Sequence, residues 1–191
     1  VAATALAVVA GSLIGLVAGY AGGVVDALIG RVLDVMMALP GVLLALLITA
    51  AAGPSVGVLI VSVGVASIAG FARLMRGEVM STRTRLYVEA ARATGISPAR
   101  ILMRHVLPNA AAPVAALATI AVGEAILAAA ALSFLGLGPR LDVPAWGQLL
   151  ASGQAFLRQS WWVSVFAGAV ISLTFVSVGL VGDWLRERTR A

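Results

Sequence analysis

Long stretches without charged residues dominate the chain. Four such runs cover residues 1–25, 35–72, 106–139 and 159–182, and only the third is interrupted, by Glu124. A transmembrane helix needs about 20 mainly apolar residues to cross roughly 30 Å of hydrocarbon. The second run is long enough for two spans, and Gly53-Pro54-Ser55 supplies a turn near its centre, so it is expected to form a helical hairpin. The pattern therefore predicts five membrane spans, at about 2–21, 35–52, 56–73, 110–133 and 161–182.

The five spans are expected to be helices. Backbone groups in lipid must be hydrogen-bonded within the protein, and the runs lack the alternation of a membrane β-barrel. Of the 191 residues, 61% are apolar and only 11% are charged, against roughly 25% charged in soluble proteins. The expected fold class is therefore an all-α membrane protein. In the first span, Gly11, Gly15 and Gly19 recur every four residues, which predicts close packing against another helix.

The residue types that are missing exclude several kinds of chemistry. All basic residues other than one histidine are arginine, so the chain has neither the lysine of a phosphate-binding P-loop nor a Schiff-base lysine. With no cysteine and one histidine, it lacks thiolate nucleophiles and the ligands of a histidine or cysteine metal site. An intramembrane serine hydrolase would need a base or a second polar partner within the membrane, and no predicted span holds a histidine; the G-x-S-x-G turn is absent as well. We therefore predict no catalytic residue, no metal and no cofactor.

The distribution of arginine predicts the orientation, because cytoplasmic segments near membrane spans accumulate basic residues. If the segment between the third and fourth spans is cytoplasmic, eleven arginines lie inside and two, Arg140 and Arg158, lie outside. The inside group is Arg31, Arg73, Arg76, Arg83, Arg85, Arg92, Arg100, Arg104, Arg186, Arg188 and Arg190. This places the C-terminus in the cytoplasm and the N-terminus outside, in a multi-pass protein of the cell membrane. Since the chain begins at Val1 within an apolar run, a preceding first span is expected to be missing.

The cytoplasmic segment at about 74–109 is predicted to be structured. Residues 86–94 have a short helical pattern, and Gly95 can adopt the left-handed conformation that ends a helix. Ser97 is a suitable N-cap for a second helix, with Pro98 in its first turn. Pro108 is expected to end this second helix, and Asn109 to cap the fourth span. Within the first helix, Glu89 lies three residues before Arg92, close enough for an ion pair.

Three roles are considered for this basic segment. DNA binding is disfavoured, because both ends lie within a few residues of the bilayer and no recognition helix stands free. Contact with anionic membrane lipid is a simpler role for clustered arginines. Docking into a groove on another protein would explain the small residues Ala90, Ala91, Ala93 and Gly95. We therefore predict no nucleic-acid partner, and retain membrane lipid and a partner protein.

The segment resembles the EAA loop in the permease subunits of bacterial ABC importers. The resemblance lies in Glu89-Ala90-Ala91, then Gly95, His105 and Leu107-Pro108 at the family's spacing. It implies a coupling helix that docks on a cytoplasmic ATPase subunit, with the alanines permitting close approach and Gly95 the turn. Glu89 is expected to pair with Arg92 or with an arginine of the partner.

Further motifs resemble the dipeptide, oligopeptide and nickel branch of that family. They include residues 105–109 (His-Val-Leu-Pro-Asn) and 132–138 (Leu-Ser-Phe-Leu-Gly-Leu-Gly). The resemblance implies a type I ABC importer transmembrane domain that carries peptides, or a solute such as a nickel chelate, into the cytoplasm. The implied partners are a second homologous permease subunit, cytoplasmic ATP-binding subunits and an extracytoplasmic substrate-binding protein. The alternative is a non-transporting membrane scaffold that recruits a cytoplasmic partner.

Glu124 is the only ionisable residue well inside a predicted span. Such a residue is costly in hydrocarbon and is therefore a candidate functional group. Contact with the solute, a proton relay and an interhelical hydrogen bond all remain open. The resembled family carries a glutamate shortly before residue 132, where this chain has four alanines at 128–131, and Glu124 lies on a different helical face.

Overall fold

The computed structural model describes the backbone of residues 1–139 and 143–190, with side chains as far as Trp184. Every regular element in these ranges is helical, which confirms the all-α prediction. The elements are α1 (Ala2–Ala21), α2 (Gly23–Ala38), α3 (Gly41–Ala52), α4 (Val56–Thr82), α5 (Leu86–Ala93), α6 (Pro98–Ile101), a π-helical turn (Leu102–Val106), α7 (Leu107–Phe134), α8 (Trp146–Gln154) and α9 (Leu157–Arg190).

The closest helix pair is α1 and α4. Gly11, Gly15 and Gly19 are buried in α1, and each lies against the backbone of α4. A Cβ added to Gly19 would come within 2.9 Å of Val79 Cβ, so a side chain at this position has no space. The regular glycine spacing therefore lets the two backbones approach closely, as the sequence predicts.

Contacts between helices establish their directions. Gly11 contacts Ala72 and Gly19 contacts Val79, so α1 and α4 run parallel. Helix α7 runs opposite to them, because Ala110 near its start clusters with Val79 near the end of α4, whereas Leu132 near its end clusters with Ala3 at the start of α1. Helix α9 is antiparallel to α7. One end of the bundle therefore holds the C-terminal ends of α1, α4 and α9 together with α5 and α6, and we call it the basic end.

The predicted span at 35–52 is not a single helix. Residues 35–38 belong to α2, which begins at Gly23, and α2 meets α3 at a bend of 86°. The break occurs because Pro40 has no N–H and favours an extended preceding residue; Leu39 has φ −96° and ψ 134°. Helix α3 has 12 residues, or about 18 Å, and is too short to cross the bilayer alone.

Together α2 and α3 make one further crossing. Within residues 1–139 and 143–190, four helices are long and apolar enough to span a membrane, and the bent pair raises the number to five. Since α1 and α4 are parallel neighbours, the chain between Ala21 and Val56 has to return across the bundle. Only α2 and α3 lie in that interval, so the bent pair is the return path.

Polar contacts hold the bent pair against α4. Asp26 forms a two-point ion pair with Arg76, whose Nη2 donates to Asp26 Oδ2 at 2.7 Å, and Asp34 pairs with Arg73. In α3, Thr49 Oγ1 lies 2.8 Å from Ser62 Oγ of α4, and both side chains are buried. Each half of the bent pair is thus fixed to α4 on its own side of the break.

Replacement of Gly15 by alanine is expected to destabilise the bundle. The new Cβ would lie 2.9 Å from both Arg76 N and Met75 Cβ, and α4 cannot move away without losing its other contacts. Overpacking of this kind costs about 1–3 kcal/mol and should lower the melting temperature by about 2–10 °C. Thermal unfolding of the purified chain in detergent measures the change.

Gly77→Ala is the matched control. Gly77 lies in α4 with nothing near its missing Cβ, so alanine there should leave the melting temperature unchanged or slightly raised. Equal melting temperatures for Gly15→Ala and Gly77→Ala would contradict the close packing of α1 on α4.

Candidate functional site

Helix α5 lies at the basic end with two different faces. Val88 and Ala91 are turned inward and are 0% and 7% exposed, in one apolar cluster with Val79, Ile101 and Val106. The outward face has the spacing of a helical stripe, and Leu86 on it is 83% exposed. The outward residues are Leu86, Glu89, Ala90 and Ala93. The segment is therefore packed on the bundle by one face and open to a partner on the other.

The turn after α5 is a glycine-dependent helix end. Gly95 has φ +78°, and its N–H donates to Arg92 O at 3.0 Å. The N–H of Ile96 donates to Ala91 O at 3.2 Å, which completes the Schellman pattern of hydrogen bonds. The left-handed conformation predicted for Gly95 is thus present, and it directs the chain into α6. Ser97 precedes α6 as expected, without a capping hydrogen bond from its side chain.

Two side-chain hydrogen bonds tie this segment to the end of α1. Tyr20 donates its hydroxyl to Pro98 O at 2.9 Å, across 78 positions in sequence. Arg83, just after α4, donates to Gly19 O at 2.9 Å, a carbonyl at the C-terminal end of α1 that has no partner within the helix. These anchors join α1, α4 and α6 in a small network at the basic end.

The junction of α6 with α7 differs from the sequence prediction. Pro108 does not end the helix, because helical backbone is continuous from Pro98 to Phe134. The chain instead widens into a π turn, in which Leu107 N donates to Leu102 O. Proline cannot donate to the carbonyl four residues earlier and its ring crowds that carbonyl, so the wider turn accommodates it. Asn109 caps no helix start and donates its side-chain N–H to His105 O at 2.6 Å.

Other residues singled out in the sequence occupy different environments. Ala91 packs inward, so its methyl group contacts the bundle and is not available to a docked partner. Glu89 and Arg92 are exposed, and neither forms an ion pair with any residue in the described ranges. His105 is half-buried, and its ring centroid lies 6.4 Å from that of Tyr87.

Sequence reasoning missed three residues of this site. The exposure of Leu86 follows from the helical spacing of four and then three residues that also places Ala90 and Ala93 outward, so the pattern could have revealed it. Tyr20 and Arg83 carry no comparable sequence signal, because their partners are backbone carbonyls that only the fold brings near.

Glu124 lies on the open side of α7. It lines two adjoining hollows of about 390 and 210 Å³, which also share Gly41, Ala66 and Ser67. Met36, Met37 and Pro40 form the wall of the larger hollow on the side of the α2–α3 break. Glu124 forms no hydrogen bond with the residues described here, so the interhelical hydrogen bond considered for it is not made within that part of the chain.

An all-helical membrane domain with a cavity at a helix break resembles the membrane components of transporters. A family model described as the binding-protein-dependent transport system inner membrane component matches residues 11–191. The chain therefore belongs to this family and is a multi-pass membrane protein, as its sequence motifs imply.

Relatives within the family are named as peptide permeases. The chain is 40% identical over 153 residues to the dipeptide transport system permease protein DppC of Alkalihalophilus pseudofirmus, covering 80% of this chain and 50% of that protein. It is 38% identical over 182 residues to the di/tripeptide transport system permease protein DppC of Pseudomonas aeruginosa, covering 95% and 60%. The glutathione transport system permease protein GsiD of Escherichia coli is 38% identical over 153 residues, with 80% and 50% covered. The chain thus spans about half the length of these curated relatives.

Solved structures confirm the fold. A chain of the inward-facing MetNI methionine ABC transporter superposes with a TM-score of 0.68 at 18% identity, covering 98% of this chain and 92% of that one. An amino acid ABC transporter solved with histidines gives 0.67 at 17% identity, with 97% and 88% covered. The fold is therefore that of an ABC transporter transmembrane domain.

Removal of the Tyr20 hydroxyl tests the anchor of the basic segment. Tyr20→Phe keeps the ring and loses the hydrogen bond to Pro98 O, a net loss of about 1 kcal/mol. Amide hydrogen exchange in residues 96–101 should become about fivefold faster if this bond restrains local opening.

Tyr87→Phe is the control for this experiment. The Tyr87 hydroxyl makes no hydrogen bond with the part of the chain that the structure describes. Its removal should leave exchange in 96–101 unchanged. Equal exchange in both variants and the wild type would argue against a restraining role for Tyr20.

Proposed function

We propose that this chain is the membrane-spanning permease subunit of an ATP-driven importer for peptides. The segment at 74–109 docks on a separate cytoplasmic ATP-binding subunit, and the spans form one half of the pathway with a second homologous permease. An extracytoplasmic substrate-binding protein delivers the solute, and the C-terminus faces the cytoplasm. The observation that carries the proposal is the outward face of α5, which is exposed although its other face is buried in the bundle.

The shape of α5 favours a protein partner over lipid or solvent. Leu86 exposes 83% of its surface at the basic end, and a large apolar side chain beside two alanines suits insertion into a groove. Anionic lipid would favour arginine on the outward stripe; the exposed Arg92 lies at its edge, and the stripe itself carries the acidic Glu89. The alanines leave room for the partner, and Glu89 is free to pair with an arginine there.

The packing beneath α5 supports force transmission to the spans. Val88 and Ala91 lie in the same cluster as Val79 of α4 and Val106 at the base of α7. Tyr20 and Arg83 add hydrogen bonds to α1. A displacement of α5 by a moving ATPase would thus act on three membrane helices together.

The choice of peptides as the solute follows the names of the relatives. The three relatives are named as permeases for dipeptides, for di- and tripeptides, and for glutathione, and each is about 40% identical to this chain. A peptide solute is therefore the simplest proposal, ahead of a nickel chelate.

Purification of the tagged complex tests the assignment. The full-length gene is expressed in its native membrane, the complex is isolated in mild detergent, and co-purifying proteins are identified by mass spectrometry. A second permease and an ATP-binding subunit are expected, with ATPase activity in liposomes that increases with peptide and binding protein. A chain recovered without an ATPase, or with activity indifferent to peptide, would favour the scaffold alternative.

Gly95 provides one test of coupling. Proline fixes φ near about −65° and cannot adopt the +78° found here, so Gly95→Pro should abolish uptake while the protein still inserts in the membrane. Gly95→Asn is the matched control, because asparagine tolerates the left-handed conformation and the space around the Cβ is open. Wild-type uptake in Gly95→Pro would refute the coupling role of this turn.

Glu89 provides a second and independent test. Glu89→Arg places a cation where the partner is expected to present one, and it should abolish peptide-stimulated ATPase activity. Glu89→Gln removes the charge without reversing it and should reduce activity only partly. Membrane insertion, measured by the amount of protein in membrane fractions, should be unaffected, because Glu89 is exposed and forms no contact within the bundle. Full activity in Glu89→Arg would exclude a role in docking.

A further inference from the structure

Glu124 places a carboxylate deep within the membrane. It lies 16 residues after Pro108 and 10 before Phe134, which corresponds to about 24 Å and 15 Å along the helix axis. No other residue from 110 to 134 is ionisable. A charge at this depth requires a cationic partner or an aqueous cavity.

The hollows around Glu124 have the size of a ligand site. The larger one, about 390 Å³, is within the range of about 300–1,000 Å³ found for small-molecule sites, and the smaller one of about 210 Å³ adjoins it. Glu124 lines both hollows and so lies where they meet. Glu124 therefore borders an open volume on the exposed side of α7.

The side chains lining these hollows offer hydrogen-bond acceptors and no cation. Apart from Glu124, the polar side chain that they share is Ser67, whose hydroxyl donates to Val63 O at 3.0 Å and keeps its oxygen as an acceptor. Among the described residues, no arginine lines either hollow. An acceptor set of this kind suits a ligand that brings both a positive charge and N–H donors.

The remaining lining suits a solute with variable side chains. Met36 and Met37 lie on the wall of the larger hollow, and methionine adapts its shape to different apolar groups. Gly41 and Pro40 leave the space at the helix break unfilled. The hollow thus combines one fixed charged group with an adaptable apolar surface.

We propose that Glu124 is the site at which the permease receives the ammonium group of its solute during passage through the membrane. The carboxylate and Ser67 Oγ accept hydrogen bonds from the ammonium, and the methionine-lined wall accommodates the rest of the molecule. The proposal rests on the proposed function, because it takes the peptide as the molecule that carries this ammonium group. It adds a recognition site within the translocation path.

Direct binding tests the site without the substrate-binding protein. The complete transporter of this permease, its partner permease and its ATPases is placed in lipid nanodiscs, and calorimetry measures binding of alanyl-alanine and of N-acetyl-alanyl-alanine. The wild type should bind the free amine more tightly. Glu124→Gln, which has the same shape without the charge, should weaken binding of alanyl-alanine by about 10- to 100-fold and leave the acetylated peptide unchanged.

Two further variants separate recognition from structure. Glu124→Asp retains the charge and should restore part of the preference for the free amine. Asp183→Asn removes an exposed acid near the C-terminal end of α9, outside the segment at 74–109, and should bind both peptides as the wild type does. If Glu124 instead pairs with the second permease, Glu124→Gln would lower the yield of the assembled complex and affect both peptides equally, which overturns the proposal.

Uptake by the same complexes distinguishes failure of the Glu124 proposal from failure of the proposed peptide import. The Glu124 site alone would be overturned if the wild type imports alanyl-alanine but Glu124→Gln binds this peptide as tightly as the wild type does. It would also be overturned if the wild type imports alanyl-alanine but neither peptide shows binding in calorimetry. No import of alanyl-alanine by the wild type with its binding protein would overturn the proposed peptide function itself.

Discussion

The parallel packing of α1 on α4 is the contact on which the rest of the structure depends. Gly11, Gly15 and Gly19 allow the two backbones to touch, and no side chain could replace them without separating the helices. Because the pair is parallel, the chain between them has to cross back, and only α2 and α3 are available. The same pairing brings the ends of α1 and α4 together, where they hold the segment that contains α5 and α6.

The cavity at Glu124 exists because the return crossing, made by α2 and α3, is bent. Ion pairs from Asp26 and Asp34 fix α2 to α4 on one side of the break, and the Thr49–Ser62 contact fixes α3 on the other. Between these attachments the backbone turns by 86° at Pro40 and does not fill the space beside α4 and α7. An uninterrupted helix in this position would close the hollow.

Sequence reasoning could identify features that depend on local rules. The apolar runs coincide with the long helices α1, α4, α7 and α9 but not with α2, most of which lies in the charged stretch between the first two runs. The left-handed turn at Gly95 was predictable because glycine adopts it without strain. It failed where two rules competed, as at Pro108, where a π turn accommodated the proline within a helix held by tertiary contacts. The inward position of Ala91 follows from its spacing of three residues from the apolar Val88, a helical signal that sequence reasoning did not use. The hydrogen bond of Tyr20 depends on the neighbouring helices, and the sequence carries no signal for it.

A single helical body connects the proposed docking segment with the cavity. Backbone helix continues from Pro98, where Tyr20 is bound, through the π turn to Phe134, and Glu124 lies about 26 Å beyond Leu107. Movement at α6 thus reaches the wall of the hollow through continuous helical backbone, whose regular hydrogen bonding is interrupted at the π turn and at Pro113. By thermodynamic reciprocity, if a docked partner changes the affinity of the hollow for a solute by some factor, the solute changes the affinity for the docked partner by the same factor. A solute held at Glu124 would therefore act on the proposed docking segment, which links the proposed solute site to the proposed contact with the ATP-binding subunit.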